Sequence, residues 1–139
     1  MINTEFRVDM KLINVVAAVV ERNGAFLCVQ RGSSNRAYLS LKWEFPGGKI
    51  EEDETEIEAL AREIKEELSM SLLIGRKLMV VDHLYPDFRL CMHVYRCTSP
   101  DEPQLHEHLS YRWLRAHALM QLDWAEADVP IVRQLIEDG

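Results

Sequence analysis

The sequence predicts an α/β fold in which a mixed β-sheet lies between α-helices. Six stretches rich in β-branched and aromatic residues read as strands, and helical patterns occur at separated places among them. Turn residues separate the stretches, and no repeat or low-complexity linker divides the chain. With 139 residues, of which 47% are hydrophobic, we expect a single domain, residues 1–139, that buries a core.

The first two predicted strands form a hairpin, and the third leads into a pair of glycines. Leu12–Glu21 is long and β-branched, and Asn23-Gly24 is typical of a hairpin turn into Ala25–Gln30. Lys42–Phe45 reads as a short strand that leads into Gly47-Gly48. Paired glycines allow the backbone to turn tightly or to approach a ligand closely.

The first helix has a clear start. Thr55 and Glu58 form a predicted capping box, so we expect the helix to begin there and to end near Ser69. The residues predicted to face the core recur at helical spacing: Ile57, Ala61, Ile64 and Leu68.

The second half of the chain predicts two more long strands, a short strand and two helices. A turn at Tyr85-Pro86-Asp87 joins the two long strands, and Asp128 precedes Pro130 as the predicted N-cap of the last helix. In chain order the segments are Lys77–Leu84, Arg89–Cys97, Ser110–Leu114, the short helix Arg115–Met120, and a C-terminal helix with an apolar stripe at Ile131, Leu135 and Ile136.

Charge and composition exclude several kinds of partner. The formal charge of −7 and the lack of a basic stripe argue against a nucleic-acid polymer, but they leave a small phosphate ester possible. The apolar run Leu12–Val20 is too short to span a bilayer and follows no secretory signal, so we expect a cytoplasmic protein without a membrane partner. We expect Cys28, Cys91 and Cys97 to be reduced, since their number is odd and they lack CxxC spacing.

The region between Glu51 and Glu67 carries nine carboxylates. Glu63, Glu66 and Glu67 fall at i, i+3 and i+4 of the predicted helix, where each like-charge pair costs roughly 0.2–0.5 kcal/mol. A hard divalent cation with oxygen ligands would compensate this repulsion. A solvated acidic helix face is the alternative, and these three residues alone leave it open.

The spacing of this region resembles the Nudix box G-x5-E-x7-R-E-U-x-E-E-x-G-U, in which U is a bulky aliphatic residue. The matching residues are Gly48, Glu54, Arg62, Glu63, Ile64, Glu66, Glu67 and Met70. Ser69 stands where the family usually has a glycine that ends the helix in a left-handed conformation, which serine tolerates less well. The resemblance covers nearly the whole chain and implies the Nudix fold, an α/β/α sandwich.

The resemblance also implies the chemistry. Nudix enzymes typically hydrolyse a nucleoside diphosphate linked to another group, with Mg²⁺ or Mn²⁺ bound. Glu63, Glu66 and Glu67 would be the metal-binding and catalytic carboxylates, with Glu63 our first choice as general base. A carbonyl of Gly47 or Gly48 would be a further metal ligand. Glu54 would hold Arg62, which would orient a neighbouring glutamate.

Glu107 is a further acidic candidate for the site. In the MutT-like branch of the family, a glutamate in the corresponding late loop binds metal or activates water. Its neighbours His106 and His108 allow another interpretation, a His-x-His metal pair on one face of a strand, although no third ligand with suitable spacing accompanies them.

The same branch implies substrate contacts. Arg31 and Lys49 would bind phosphate, Tyr85 would lie near the base, and Asp128 would face the base edge. For each of these residues a surface, core or capping role is the alternative. An ionised Asp128 would favour a base that offers an amino donor, such as cytosine, whereas a protonated Asp128 would keep 8-oxoguanine possible.

We therefore expect a Mg²⁺-dependent pyrophosphohydrolase that converts (deoxy)nucleoside triphosphates, normal or oxidised, to the monophosphate and pyrophosphate. The segments around Glu107 and Asp128 look most like members of the CTP-pyrophosphohydrolase type. We expect a monomer or a homodimer. Hydrolysis of ADP-ribose or of a dinucleoside polyphosphate is one alternative, and an inactive Nudix-fold binding module is another.

Overall fold

The structure is a computed structural model that describes residues 10–139. The predictions that concern residues 1–9, namely the start of the domain and the lack of a signal sequence, lie outside the described residues. Within residues 10–139 there are seven strands and two α-helices: β1 Lys11–Arg22, β2 Ala25–Gln30, β3 Trp43–Glu44, β4 Gly47–Lys49, α1 Glu56–Leu68, β5 Leu73–Leu84, β6 Phe88–Thr98, β7 Ser110–Arg115 and α2 Val129–Asp138. The short 3₁₀ helices Ala116–Gln121 and Glu126–Asp128 precede α2.

Strand β1 is the centre of a mixed sheet. Residues 11–20 of β1 pair in parallel with residues 88–97 of β6, and β6 pairs antiparallel with β5. On its other edge β1 changes partner, since residues 15–17 pair with β4 and residues 21–22 pair with β2. The strand order is β3-β2-β1-β6-β5, with β7 paired to β2 and β4 to β1.

Side chains that alternate along β1 build two cores, one on each face of the sheet. Val16, Ala18 and Val20 pack with the buried residues of α1, whereas Ala17 and Val19 pack with the buried residues of α2. This follows from the two-residue period of a strand, which sends successive side chains to opposite faces. The predicted α/β/α sandwich is confirmed.

The buried face of α1 is rotated from the predicted one. Ile57 is 51% exposed and Ala61 is also exposed, so the prediction that both face the core is wrong. Ala59 and Leu60 are buried instead, together with Ile64 and Leu68 as predicted. Leu60, Ile64 and Leu68 follow one another at i+4 spacing, so a single row of side chains meets the sheet.

Strand β4 was not predicted, because its residues Gly47–Lys49 carry no strand pattern. It forms because Gly47 can lie against β1, where a Cβ at this position would stand 1.9 Å from the carbonyl oxygen of Val16. The close approach leads the chain directly from the sheet to the loop before α1.

Cys28, Cys91 and Cys97 are unpaired, and the first and last are buried. No helix within residues 10–139 is long and apolar enough to cross a membrane.

Candidate active site

A cleft of about 700 Å³ lies beside the central strands. Its lining combines the carboxylates Glu63 and Glu67 of α1 with aromatic and aliphatic side chains of β1, β6 and the loops. Nine of the predicted site residues line it: Arg31, Gly47, Gly48, Lys49, Glu63, Glu67, Tyr85, Glu107 and Asp128. The structure thus brings together residues that are up to 97 positions apart in the chain.

Helix α1 places Glu63 against the backbone of β4. The capping box predicted from Thr55 and Glu58 is formed, with both reciprocal hydrogen bonds, and fixes the start of the helix. A Cβ on Gly48 would stand 1.9 Å from Oε2 of Glu63, so only glycine admits the carboxylate here. Burial raises the pKa of Glu63, and the charge of Arg62 opposes this effect.

Arg62 ties the loop to the helix, as predicted. Its Nε and Nη2 donate to the two carboxylate oxygens of Glu54 at 2.5 and 3.0 Å, and Nη2 also donates to the carbonyl of Lys49 at 3.1 Å. The hydrogen bonds from Arg62 lower the pKa of Glu54. Arg62 does not line the cleft, and its Nη1 lies 3.6 Å from Oε1 of Glu63. This arrangement suits a residue that orients a carboxylate.

Glu66 does not join Glu63 and Glu67 in the cleft, which corrects the prediction that the three form one group. Its side chain is 60% exposed and accepts a hydrogen bond from Nη1 of Arg62 at 3.0 Å. The i+4 spacing to Arg62 favours this exposed ion pair.

Glu67 is 17% exposed and lies among other acids. Burial, followed by the charge of Glu63, raises the pKa of Glu67 to about 8, and the charge of His108 lowers it only in part. A carboxylate in such surroundings becomes fully ionised at neutral pH only when a cation compensates the charge.

Glu44 and His108 also line the cleft. From the sequence, Glu44 was assigned no role, and His108 was considered only as half of a metal-binding pair. Glu44 accepts from Nη1 of Arg31 at 3.1 Å through Oε1 and lies 3.4 Å from Nε2 of His108 through Oε2. Glu44 is the last residue of β3 and directly precedes the segment Phe45–Gly48. Its position just before the paired glycines could have indicated a role in the site.

The two histidines of the predicted pair point to different partners. Nε2 of His106 lies 2.8 Å from Oγ of Ser69, at the end of α1, whereas His108 faces Glu44. The interpretation as a His-x-His metal pair is therefore wrong for this structure. Ser69 has φ 54° and ψ 37°, so serine ends α1 in the left-handed conformation that was expected of a glycine at this position.

The cleft wall also contains the one buried acid among residues 10–139. Asp128 is 5% exposed, and its Oδ2 accepts a hydrogen bond from the backbone N–H of Phe45 at 2.9 Å. Its side chain caps no helix, so that part of the prediction is wrong, although the residue does stand at the N-cap position. Burial, reinforced by the charge of Glu44, raises the pKa of Asp128 well above its ordinary value.

Tyr85 is buried in the cleft wall, next to the segment that carries Asp128. Its hydroxyl oxygen accepts a hydrogen bond from the N–H of Ala127 at 3.0 Å, and its ring stacks on Tyr38 at a centroid distance of 5.0 Å. The side chain thus braces the segment that carries Asp128 and also lines the cleft.

Two cationic side chains at the cleft were missed in the sequence. Lys11 and Arg36 line it together with Arg31 and Lys49. Neither residue belongs to a local motif, and the fold alone brings them to the cleft.

The carboxylates Glu63 and Glu67 in the cleft fit a divalent cation. No group of three or more His, Cys, Asp or Glu side chains within residues 10–139 is arranged to hold a metal by itself. Mg²⁺, however, is usually held by only one or two carboxylates together with substrate phosphates and water. Glu63, which lies against the backbone of Gly48, and Glu67, which lines the same cleft, are a hard oxygen donor set of this kind. A cation here would offset the burial and the acidic neighbours that raise the pKa of Glu67.

Comparisons with known proteins agree with this geometry. The family model described as NUDIX domain matches residues 10–135. The chain is 38% identical over 127 residues to the CTP pyrophosphohydrolase of Escherichia coli (strain K12), covering 88% of this chain and 90% of that protein. It is 35% identical over 119 residues to the putative 8-oxo-dGTP diphosphatase 2 of Mycobacterium tuberculosis (strain CDC 1551 / Oshkosh), covering 82% and 81%.

Solved structures are similar as well. The solution structure of the DNA mismatch repair protein MutT (family Nudix hydrolase) from methicillin-resistant Staphylococcus aureus 252 is 42% identical, with a TM-score of 0.75 and coverage of 94% of this chain and 99% of that one. The MutT protein from Methanosarcina mazei Go1 has a TM-score of 0.82 at 23% identity, over 94% and 96% of the two chains, and supports the fold alone.

The fold and the acidic cleft thus define a Nudix hydrolase. The chain belongs to the NUDIX family, and its similarity to MutT-like members confirms the branch predicted from the sequence.

Proposed function

We propose that this protein hydrolyses (deoxy)nucleoside triphosphates, normal or oxidised, to the nucleoside monophosphate and pyrophosphate, with Mg²⁺ or Mn²⁺. The observation that carries the proposal is the cleft itself, which brings together the pair Glu63 and Glu67, apolar side chains and the buried acid Asp128. A polyphosphate with its metal suits the carboxylate pair, and a nucleobase suits the apolar side chains and Asp128. The similarity to a CTP pyrophosphohydrolase and to an 8-oxo-dGTP diphosphatase supports this class of substrate.

The metal would be held by Glu63, Glu67 and Glu107 and by a carbonyl oxygen of Gly47 or Gly48. When bound, the metal supplies charge neutralisation for the phosphates and a lowered pKa for the attacking water. We do not include Glu66 in this set, since its carboxylate is engaged by Arg62 at the surface.

The remaining roles belong to the side chains. Glu63 would accept the proton of the attacking water, because it is held between Gly48 and Arg62 at the edge of the cleft. Arg62 would keep Glu63 in place, and Glu54 would keep Arg62 in place. Lys49 and Arg31 would bind phosphate oxygens at the cleft wall, where both already lie.

Asp128 would read the base edge. Its raised pKa favours the neutral acid, which donates one hydrogen bond and accepts others. A neutral acid suits an oxidised purine as well as a pyrimidine, so we propose that both classes be compared directly. Tyr85 would contribute to the apolar surroundings of the base and hold the backbone next to Asp128.

The test is a pyrophosphate-release assay with Mg²⁺ over the normal, 8-oxo and 5-methyl nucleoside triphosphates, with ADP-ribose included. We expect selective release from one or two triphosphates. Glu67→Gln is the inactive control. It should lower kcat by at least about 10²-fold while the fold stays intact, which is the effect seen when one group that stabilises the charge of the transition state is removed. Wild-type turnover in this variant would mean that the metal site has been placed wrongly.

The same assay tests the alternatives. AMP formed from ADP-ribose, without turnover of the triphosphates, would favour the ADP-ribose hydrolase, and inactivity towards all substrates would favour a binding module. We retain the predictions of a cytoplasmic location and of a monomer or homodimer, which gel filtration and fractionation of cells would test.

A further inference from the structure

His108 is buried in the wall of the cleft, although it lies in the loop before β7. Its side chain is 8% exposed, and its Nε2 lies 3.4 Å from Oε2 of Glu44 and 4.0 Å from Oε1 of Glu67. The two glutamates come from β3 and α1, which are separated by β4 and a loop in the chain. One imidazole therefore faces carboxylates from two elements.

The direction of the hydrogen bond follows from the partner. An ionised carboxylate only accepts, so Nε2 of His108 carries the hydrogen and donates to Glu44. The other ring nitrogen, Nδ1, is buried and has no hydrogen-bond partner among the described residues. The contacts through Nε2 are therefore the polar contacts that orient the ring.

Glu44 is held at both of its oxygens. Arg31 donates to Oε1 at 3.1 Å and His108 to Oε2, so the carboxylate is fixed between the end of β2 and the loop before β7. Such two-sided anchoring leaves Glu44 little freedom to rotate.

Glu67 also lies beside His108. Among residues 10–139, the imidazole of His108 is the one basic side chain within 4.0 Å of the Glu67 carboxylate, which also faces the charges of Glu63, Glu107 and Glu44. To bind a cation Glu67 must be ionised, and like charges at this range then push one another apart. Without the ring, the ionised Glu67 would lose the one basic side chain among residues 10–139 that offsets this repulsion at close range.

We propose that His108 is a positioning residue that holds Glu44 by a hydrogen bond and keeps Glu67 directed into the cleft for metal binding. The inference rests on the proposed function, since it assigns Glu67 to the metal. Residues that contact a metal ligand and orient it typically contribute about 10- to 100-fold to metal affinity or activity. We expect His108 to contribute an effect of roughly this size.

The experiment compares His108→Leu, which removes the donor, with His108→Gln, whose amide nitrogen reaches about as far as Nε2. Affinity for Mn²⁺ without nucleotide is measured by electron paramagnetic resonance of free Mn²⁺, and kcat and KM are measured with the preferred triphosphate. His106→Leu is the matched control, because it removes an exposed histidine from the same loop. If His108→Leu unfolds, His108→Asn replaces it, since its shorter amide leaves Glu44 without the donor.

We expect His108→Leu to weaken Mn²⁺ binding and to lower kcat by about 10- to 100-fold each, with KM nearly unchanged. His108→Gln should retain most of the Mn²⁺ affinity and most of kcat. His106→Leu should match the wild type in both quantities. A His108→Leu variant with wild-type affinity and kcat would overturn the proposal, and so would a His108→Gln variant as impaired as His108→Leu.

The two proposals fail in different ways. A wild type that hydrolyses no triphosphate, but loses Mn²⁺ affinity on His108→Leu, would end the proposed function and leave the positioning role standing. A wild type that is active, with all three variants equal to it in kcat and Mn²⁺ affinity, would end the positioning role alone.

Discussion

Glu67 links the charge of the site to the stability of the protein. In the metal-free protein its pKa of about 8 exceeds the ordinary value of 4.5, so the folded state keeps a proton that the unfolded state releases. The proton on Glu67 therefore stabilises the folded state fully when the pH lies below the pKa that this residue has in the unfolded state. This contribution is lost as the pH rises through about 8. Binding of a divalent cation to the ionised carboxylate should reverse the loss.

We therefore predict that the free energy of unfolding in the presence of a chelator falls between pH 5 and pH 8. The part due to Glu67 should be on the order of a few kcal/mol. Urea denaturation at several pH values measures the decline, and Glu67→Gln should show much less of it. Added Mg²⁺ should stabilise the wild type more at pH 8 than at pH 5. Parallel pH profiles for the two proteins would contradict the assignment.

Asp128 is the residue at which the base preference can be tested. Asp128→Asn keeps an acceptor for the N–H of Phe45, so the fold should be retained. It changes the donor and acceptor pattern offered to the base, and we predict that the ratio of kcat/KM for CTP and 8-oxo-dGTP shifts by about tenfold, which corresponds to roughly 1.4 kcal/mol. Steady-state kinetics with both substrates measure the ratio.

Asp123→Asn is the control for this prediction, because Asp123 is an exposed acid paired with Lys42. It should leave the ratio unchanged. If Asp128→Asn lowers kcat/KM equally for CTP and 8-oxo-dGTP, then Asp128 supports the backbone of Phe45 and does not distinguish the bases.

At the scale of elements, α1 is fixed at both ends. Its start is set by the capping box of Thr55 and Glu58, and its end by Ser69 in the left-handed region. A residue with a Cβ is strained in this conformation, by about 1 kcal/mol or more. The hydroxyl of Ser69 compensates in part through its contact with His106 at 2.8 Å.

This balance predicts the order of stability of two variants. Ser69→Ala loses the hydroxyl contact and keeps the strain, whereas Ser69→Gly loses both. We expect the glycine variant to be more stable than the alanine variant by about 1 kcal/mol, as measured by urea denaturation. Equal stability of the two variants would show that the left-handed conformation costs little at this position.

At the scale of the whole molecule, two distant loops meet at the cleft. Arg36, in the loop after β2, donates from Nε to Asp87, in the turn before β6, at 2.9 Å, and the hydroxyl of Tyr38 donates to the same carboxylate. Both Arg36 and Asp87 line the cleft. The ion pair therefore joins two parts of the wall that only the folded chain brings together.

We predict that Arg36→Ala and Asp87→Ala each raise KM by roughly 2- to 5-fold with little effect on kcat, the size of an exposed ion pair of 0.5–1 kcal/mol. The double variant should be no worse than the worse single one, because the two residues act as a pair. Steady-state kinetics on the three variants give the coupling. Additive increases in KM would mean that each residue acts on the substrate separately.

The sequence alone determined the features that depend on nearby residues. The helix start at Thr55 and the ion pair between Glu54 and Arg62 were predicted, because capping and charge pairing operate over a few residues. The left-handed conformation was expected of a glycine at position 69, and the structure shows that serine adopts it. The spacing of these residues also identified the family. The strands were predicted for the same reason, except β4, whose glycines have no strand preference and pair only because β1 lies beside them.

Only the tertiary structure decided which side chains share the cleft. The sequence grouped Glu66 with Glu63 and Glu67, but packing of α1 on the sheet turned Glu66 to the surface. Nothing in the sequence joins Glu44 to His108. The two residues are 64 positions apart and meet only through the fold. The physical reason is that helix propensity and charge spacing are local, whereas burial, and with it the raised pKa of Asp128 and Glu67, arises from the elements that pack around a residue.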